Sequence, residues 1–447
     1  MKYDVLIAGG GVAGLTLALK LVKKNIHVLL IEKAKQNPQK VLYKGELLQP
    51  KSIKIFSDLG LYDLLEKESY PLHVIHSIEV ELQENGFPSP IFESELRYDK
   101  LDSFYNQAFM IPHEKLRSIL LEELKRYETF HYIWPGTFLD FTEDQTPDAR
   151  KARIKTKDKE LYCQADFYVG AEGRVSKIRD SMKTKVKESD YNHQFLTVSF
   201  PRPPSLKESV IFASKDSFLG LFPLPEGEVR TVLLIQPGQL KKMKEDGIES
   251  FYRAYYQFMP EMKGYVDSVG WRDIQLMIPK RHNVSHYVEE NKVIIGDTAH
   301  SVHPMAGEGM NLAIQDADVL GELLGWMYKE NKTDHKHLTW FETIRKPRAE
   351  YLSFLSHQSA LAYSFPYQTA RKTRMRALYY MENIPRLHFK QMLNISGLGM
   401  WKFSAWDYMR TIGLPPWFTS KKQYSPQKQQ PHFFTHKDDY PWYYKYH

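Results

Sequence analysis

The chain has 447 residues, 42% hydrophobic, with a formal net charge of +7 and one cysteine, Cys163. A single cysteine excludes an intramolecular disulfide and a cysteine-built metal site, and suits a reducing compartment. Residues 366–447 hold 13 Lys and Arg against 4 Asp and Glu, so the basic excess sits in the tail, where no nucleic-acid-binding motif accompanies it.

The length accommodates two or three domains, or one nucleotide-binding domain with large insertions. No apolar run reaches the roughly 18 to 20 residues of a membrane span, and Met1 leads straight into a strand pattern with no secretory signal. The expected location is cytoplasmic, with peripheral membrane association compatible.

Val5 to Ala8 is a short apolar run of strand character that empties into Gly9-Gly10-Gly11-Val12-Ala13-Gly14, a G-x-G-x-x-G turn. A helix pattern follows from Leu15, then a second strand, His27 to Ile31, ending at Glu32. Gly9 permits the tight turn, Gly11 lets a pyrophosphate approach the backbone, and Gly14 lets helix and strand pack closely. Glu32 is placed to accept hydrogen bonds from ribose hydroxyls.

Ser52 to Leu59 reads as a helix stopped by Gly60, and His76 to Leu82 alternates with period two, as a strand does. His113 to Leu124 returns to helical spacing. Strands follow at 152–156 and at 165–173, the latter broken at Gly170 and Gly173. From 192 to about 279 the pattern is mixed sheet, interrupted by a helical segment at 247–259. Lys292 to Ile295 is a strand with Asp297 at its C-terminal end, where open α/β sheets bind ligands. The glycines at 307 and 309 then open a helix that reaches Leu324. A second glycine-rich turn so far from the first requires a long cofactor, and FAD meets that requirement.

Three separated motifs resemble those of the single-component FAD-dependent monooxygenases, the p-hydroxybenzoate-hydroxylase-like class that includes ubiquinone-biosynthesis hydroxylases. They are Gly9 to Gly14 with Glu32; Gly170-Ala171-Glu172-Gly173 with Ser176 and Arg179; and Gly296-Asp297 through His300, Pro304, Gly307, Gly309 and Asn311. The second motif carries Glu172 where the family has Asp, and His113 stands where many relatives place an FAD-contacting Arg. Gly45-Glu46-Leu47-Leu48-Gln49-Pro50 resembles the squalene-epoxidase branch, which leaves the substrate open between an aromatic ring, a lipophilic alkene and an alkylated quinoline.

The resemblance implies an α/β fold with a Rossmann-like FAD-binding domain (1–70, 100–185 and 280–350) and an inserted mixed-sheet substrate domain (71–99 and 186–279); beyond it, the residue pattern reads as a helical C-terminal region (351–419) and a basic, partly disordered tail (420–447). It implies FAD contacts from the three motifs together with Lys33, Glu46, Leu47, His113, Gly173 and Met310. It implies NAD(P)H as a transient cosubstrate and O2 activation through a flavin C4a-hydroperoxide, which hydroxylates or epoxidises an aromatic or lipophilic small molecule. The cofactor carries the hard chemistry, so no catalytic residue is assigned; Pro304 and His303 are the candidates nearest the flavin, and no metal site is expected.

Two rival readings are an FAD-dependent reductase that does not activate oxygen and a non-catalytic flavin-binding scaffold. A halogenase is disfavoured because no G-W-x-W-x-I-P motif is present. His300 and His303 read as acid/base groups or as structural histidines, and Phe218, Phe222 and Tyr191 as cavity lining or core. Asp316 and Asp318 favour an early helical turn through its dipole. The tail, with basic residues at 371, 372, 374 and 376 and tryptophans at 401, 406 and 417, reads as a helical cap or as a peripheral membrane contact.

Overall fold

The computed structural model describes residues 2–33, 46–82, 88–142, 146, 149–365, 367–411 and 424–445. Its centre is a parallel sheet in the order Phe130–Ile133, Val28–Ile31, Lys2–Ala8, Glu160–Gly170, Lys292–Ile294. Val5, Leu6 and Ile7 are fully buried, as expected of a central parallel strand covered on both faces. The helices Val12–Val22 and Glu308–Lys329 pack against each other. Their approach is close at Gly321, where a Cβ would stand 2.9 Å from that of Lys20.

A second sheet runs Gln275–Met277, Gln194–Pro201, Glu228–Ile235, Phe218–Pro223, Ser209–Ala213, Val74–Leu82, Pro88–Arg97. It joins two distant parts of the sequence through the parallel pair Val74–Leu82 and Ser209–Ala213. The helices Thr339–Ser364, Gln368–Asn383 and Pro385–Ser396 complete the fold beside this sheet. Residues 368–396 form two helices rather than one, because Pro385 has no N–H to continue the first and its ring fits the first turn of the second.

Two expectations about the C-terminal region are corrected. Arg371 and Arg374 do not lie on a basic surface: both are buried against Glu79, with Arg371 Nε at 2.7 Å and Arg374 Nε at 3.0 Å from its carboxylate. Residues 424–445 do not form a disordered end. Phe434 N–H donates to the Leu398 carbonyl at 2.8 Å, Trp442 is completely buried, and Tyr440 Oη donates to Asp318 at 2.6 Å. Asp439 takes Lys51 from one side and Arg348 from the other. Burial by itself would raise the Asp439 pKa, but these two cations hold it below the usual carboxylate value. Trp417 lies outside the described residues.

Removing the Asp439 carboxylate leaves Lys51 and Arg348 buried without their counter-charge. Asp439→Ala is therefore expected to destabilise the fold by about 3 kcal/mol or more, measured as a lowered midpoint in urea; an unchanged midpoint would show that the C-terminal segment does not brace the protein.

Candidate active site

The first glycine turn is built as its spacing requires. Gly9 has φ +111°, and a Cβ there would fall 2.1 Å from the Ala171 carbonyl oxygen, inside the second motif. A Cβ on Gly14 would fall 2.0 Å from the Gly9 oxygen, so the helix and the turn touch through glycine. Gly11 has open space where a Cβ would be and no side chain caps the helix it opens. The helix N-terminus at Val12, Ala13 and Gly14 thus presents a cradle for an anion. Glu32 stands beside it and accepts the Gly10 N–H at 2.6 Å; Lys33 is exposed next to it.

His113 opens the helix His113–Leu124 and lies 3.2 Å from Glu114. One turn further, Arg117 donates Nε to the Gly10 carbonyl at 3.0 Å. No motif marks this arginine in the sequence, although the spacing of four residues from His113 puts both on one helix face.

The second and third motifs are tied together. Thr298 Oγ1 exchanges 3.1 Å hydrogen bonds with both the N–H and the carbonyl of Gly173. The Glu172 carboxylate faces its own loop, where it accepts from Ser176 Oγ and from the Ile178 N–H at 3.1 Å. Gly296 has φ +58° and sits against Ala313 and Ala13; Asp297, next to it, is exposed at the end of the parallel sheet.

Beneath this turn lies Asp316, which accepts from Gly296 N–H at 2.9 Å, His300 Nε2 at 2.7 Å and Arg345 Nε at 2.7 Å. Burial alone would raise its pKa, but His300 and Arg345 hold it below the usual value. Asp316 and Asp318 therefore serve long-range pairing rather than the helix dipole, Asp318 being paired with Lys20.

Gly307 has φ +65° and closes on Leu47; Gly309 and Met310 are half-buried. The Asn311 side chain is spent inside the protein. It donates to the carbonyls of Leu47 and Gly307 at 2.9 Å and accepts Gln49 N–H and Ser52 Oγ at 2.8 Å. Its role is to hold two loops together, and side-chain contact with a cofactor is not open to it. The Glu46 carboxylate, expected at the cofactor, is likewise committed to Arg230, whose Nε and Nη2 each stand 2.8 Å away.

Pro304, Met305, Gly307 and Leu47 form one end of a cavity of about 290 Å³. Its walls come from the second sheet, including Ile211, Phe218, Phe222 and Val232, and from the C-terminal helices, including Leu355, Leu378 and Met381. Phe218 and Phe222 therefore face a cavity. Tyr191 does not line it, and packs instead on His303, with its hydroxyl 3.0 Å from His357.

Residues 2–353 match the model of a family described as FAD binding domain. The chain belongs to that family. It is 25% identical over 410 residues to the ubiquinone hydroxylase UbiL of Rhodospirillum rubrum, covering 89% of this chain and 90% of that protein. It is 23% identical over 361 residues to squalene epoxidase 3 of Arabidopsis thaliana, covering 79% and 66%. The p-nitrophenol 4-monooxygenase PnpA of Pseudomonas putida shares the fold with a TM-score of 0.76 at 16% identity, over 92% of this chain and 99% of that one.

In this FAD-binding family member His303 is held by protein groups through both ring nitrogens. His303 is fully buried, accepts the Met305 N–H on Nδ1 at 3.2 Å, and stands 2.8 Å through Nε2 from Nε2 of His193. With Nδ1 accepting, the neutral ring carries its proton on Nε2 and donates it to His193. Both nitrogens are engaged with protein groups, which favours the structural alternative for His303 over the acid/base one. Burial, with His193 and His357 nearby, pushes His303 down to about 3, and burial pushes His193 down to about 4.

Both values lie below the ordinary histidine value of about 6.5, so unfolding exposes rings that bind protons more readily. The stability these neutral rings contribute is present above about pH 6.5 and is lost as pH falls through their folded values. Thermal midpoints should decline on acidification from pH 7.5, and the decline should be shallower in His303→Gln, which keeps an acceptor for Met305 without titrating. An identical acid limb in that variant would assign it to other groups.

Proposed function

We propose that this protein is an FAD-dependent monooxygenase that uses NAD(P)H and O2 to hydroxylate or epoxidise a lipophilic small molecule. The observation that carries the reading is the apolar cavity ending on the Pro304–Gly307 loop, at the far end of the dinucleotide cradle from Glu32. The names of the relatives, a ubiquinone hydroxylase and a squalene epoxidase among them, support the same chemistry on lipophilic molecules.

The N-terminus of Val12–Val22 at Gly11 would hold the diphosphate, with Arg117, His113 and Lys33 at its edge. Glu32 would take the ribose hydroxyls, Asp297 the ribityl chain, and the backbone of Gly307, Gly309 and Met310 the ring system. Bound FAD, once reduced, supplies the oxygen activation. The chain's own residues bind and orient it, and the apolar walls exclude water so that the substrate is the reaction partner at hand.

The rim of the helical layer exposes Tyr367 at 65%, Tyr379 at 51% and Trp406 at 71%. We read these aromatics as a peripheral membrane contact that brings a lipophilic substrate to the cavity. Among the described residues no helix is long and apolar enough to cross a membrane. Co-sedimentation with anionic vesicles should be strong for the wild type and weak for a Tyr367→Ser/Trp406→Ser double variant; equal pelleting would remove the contact from this rim.

The purified protein should show flavin bands that bleach anaerobically with NADH or NADPH and return on admitting oxygen, with oxygenated product formed from a lipophilic substrate. Gly11→Val should contain no FAD, and Asp297→Ala should lose it on gel filtration. Normal flavin content in both variants would displace the cofactor from this cradle, and product formation without oxygen would replace the monooxygenase with a dehydrogenase.

A further inference from the structure

Glu308 opens the long helix Glu308–Lys329 and lines the cavity directly beside Gly307. It is 1% exposed, and among the described residues its carboxyl has no cationic partner and only the Gln49 side-chain amide as a hydrogen-bond donor. That is costly for any buried polar group and demands an explanation. Among the described residues three other charged side chains line the cavity, and all are paired: Glu46 with Arg230, and Arg374 with Glu79.

The neighbouring polar groups also have partners. Tyr98 Oη donates to Gln49 Oε1 at 2.8 Å, and Gln49 N–H donates to Asn311. The helix N-terminus favours a carboxylate at Glu308 and the Gln49 amide pulls the same way. Full burial outweighs both and holds the carboxyl neutral well above the usual carboxylate range. A neutral acid facing an apolar cavity is a hydrogen-bond donor awaiting an acceptor.

We propose that Glu308 is the specificity-determining residue of the cavity: its carboxyl donates a hydrogen bond to a carbonyl-type oxygen of an uncharged, lipophilic substrate and anchors that end of the molecule beside the Pro304–Gly307 loop. This rests on the monooxygenase reading and narrows its substrate class. A cationic substrate fits less well, because two buried charges must both be desolvated while the rest of the wall is apolar or already paired.

The test is calorimetric titration of the oxidised holoenzyme, without NAD(P)H, with three bicyclic probes of nearly equal shape: the ketone tetralone, the hydrocarbon tetralin and the amine aminotetralin. The wild type should bind the ketone roughly tenfold more tightly than the hydrocarbon, the scale of one well-made buried hydrogen bond. Glu308→Gln keeps a donor and should retain most of that preference. Glu308→Leu should abolish it, bind tetralin at least as well, and keep its FAD.

A flavin-loaded Glu308→Leu that still prefers the ketone overturns the proposal alone, as does tightest binding of the amine. Loss of FAD from Glu308→Leu assigns the carboxyl to the cofactor and overturns it too. A wild-type protein that takes up no FAD overturns the monooxygenase reading and this proposal together.

Discussion

The buried contact between Asp316 and Arg345 is the interaction on which the site depends. Both side chains are completely inaccessible to solvent. Two charges so deeply buried are tolerable only if each is fully hydrogen-bonded and close to the other. Asp316 meets this with Gly296 N–H, His300 and Arg345; Arg345 adds the Gln315 side chain at 3.2 Å and the Leu312 carbonyl at 3.3 Å. The pair thereby fixes three things at once. It sets the turn that carries Asp297, the helix that begins at Glu308, and the helix Thr339–Ser364, whose later residues wall the cavity.

The same device recurs at wider range. Asp439 draws the C-terminal segment onto Lys51 and Arg348, and Glu79 draws the helix Gln368–Asn383 onto the second sheet through Arg371 and Arg374. Arg348 also lies 3.6 Å over the Phe434 ring, so the brace is packed as well as charged. Among the basic residues after 365, Arg371 and Arg374 are thus spent in holding the cavity walls together. What is left exposed there includes the aromatics Tyr367, Tyr379 and Trp406 beside Lys372, Arg376 and Lys402.

A cavity assembled this way suits chemistry that must exclude water. Its walls are apolar and its charges cancel in pairs, so a lipophilic molecule can enter without disturbing an ion pair. Only the end nearest the dinucleotide cradle departs from that pattern. There a buried carboxyl with no cationic partner lines the cavity, and the loop above it is held by His303, whose carbonyl accepts Ser356 Oγ at 2.6 Å.

The amino-acid sequence by itself determined the dinucleotide cradle and its order along the chain. That chemistry is local: Gly9, Gly11 and Gly14 act on backbone within one turn, and the helix N-terminus follows them directly. Phe218 and Phe222 were legible as cavity candidates because strand alternation sends them to one face. The pairings were not legible. Glu46 meets Arg230 across 184 positions, Glu79 meets Arg374 across 295, and Lys51 meets Asp439 across 388. No periodicity links residues so far apart, so Glu46 read as a cofactor contact, Asp316 as a helix-dipole residue and the last residues as a loose end. Glu308 is the clearest instance. Its position was visible in the glycine loop, but a carboxyl becomes a neutral donor only when walls from distant segments close around it and remove the water that would have ionised it.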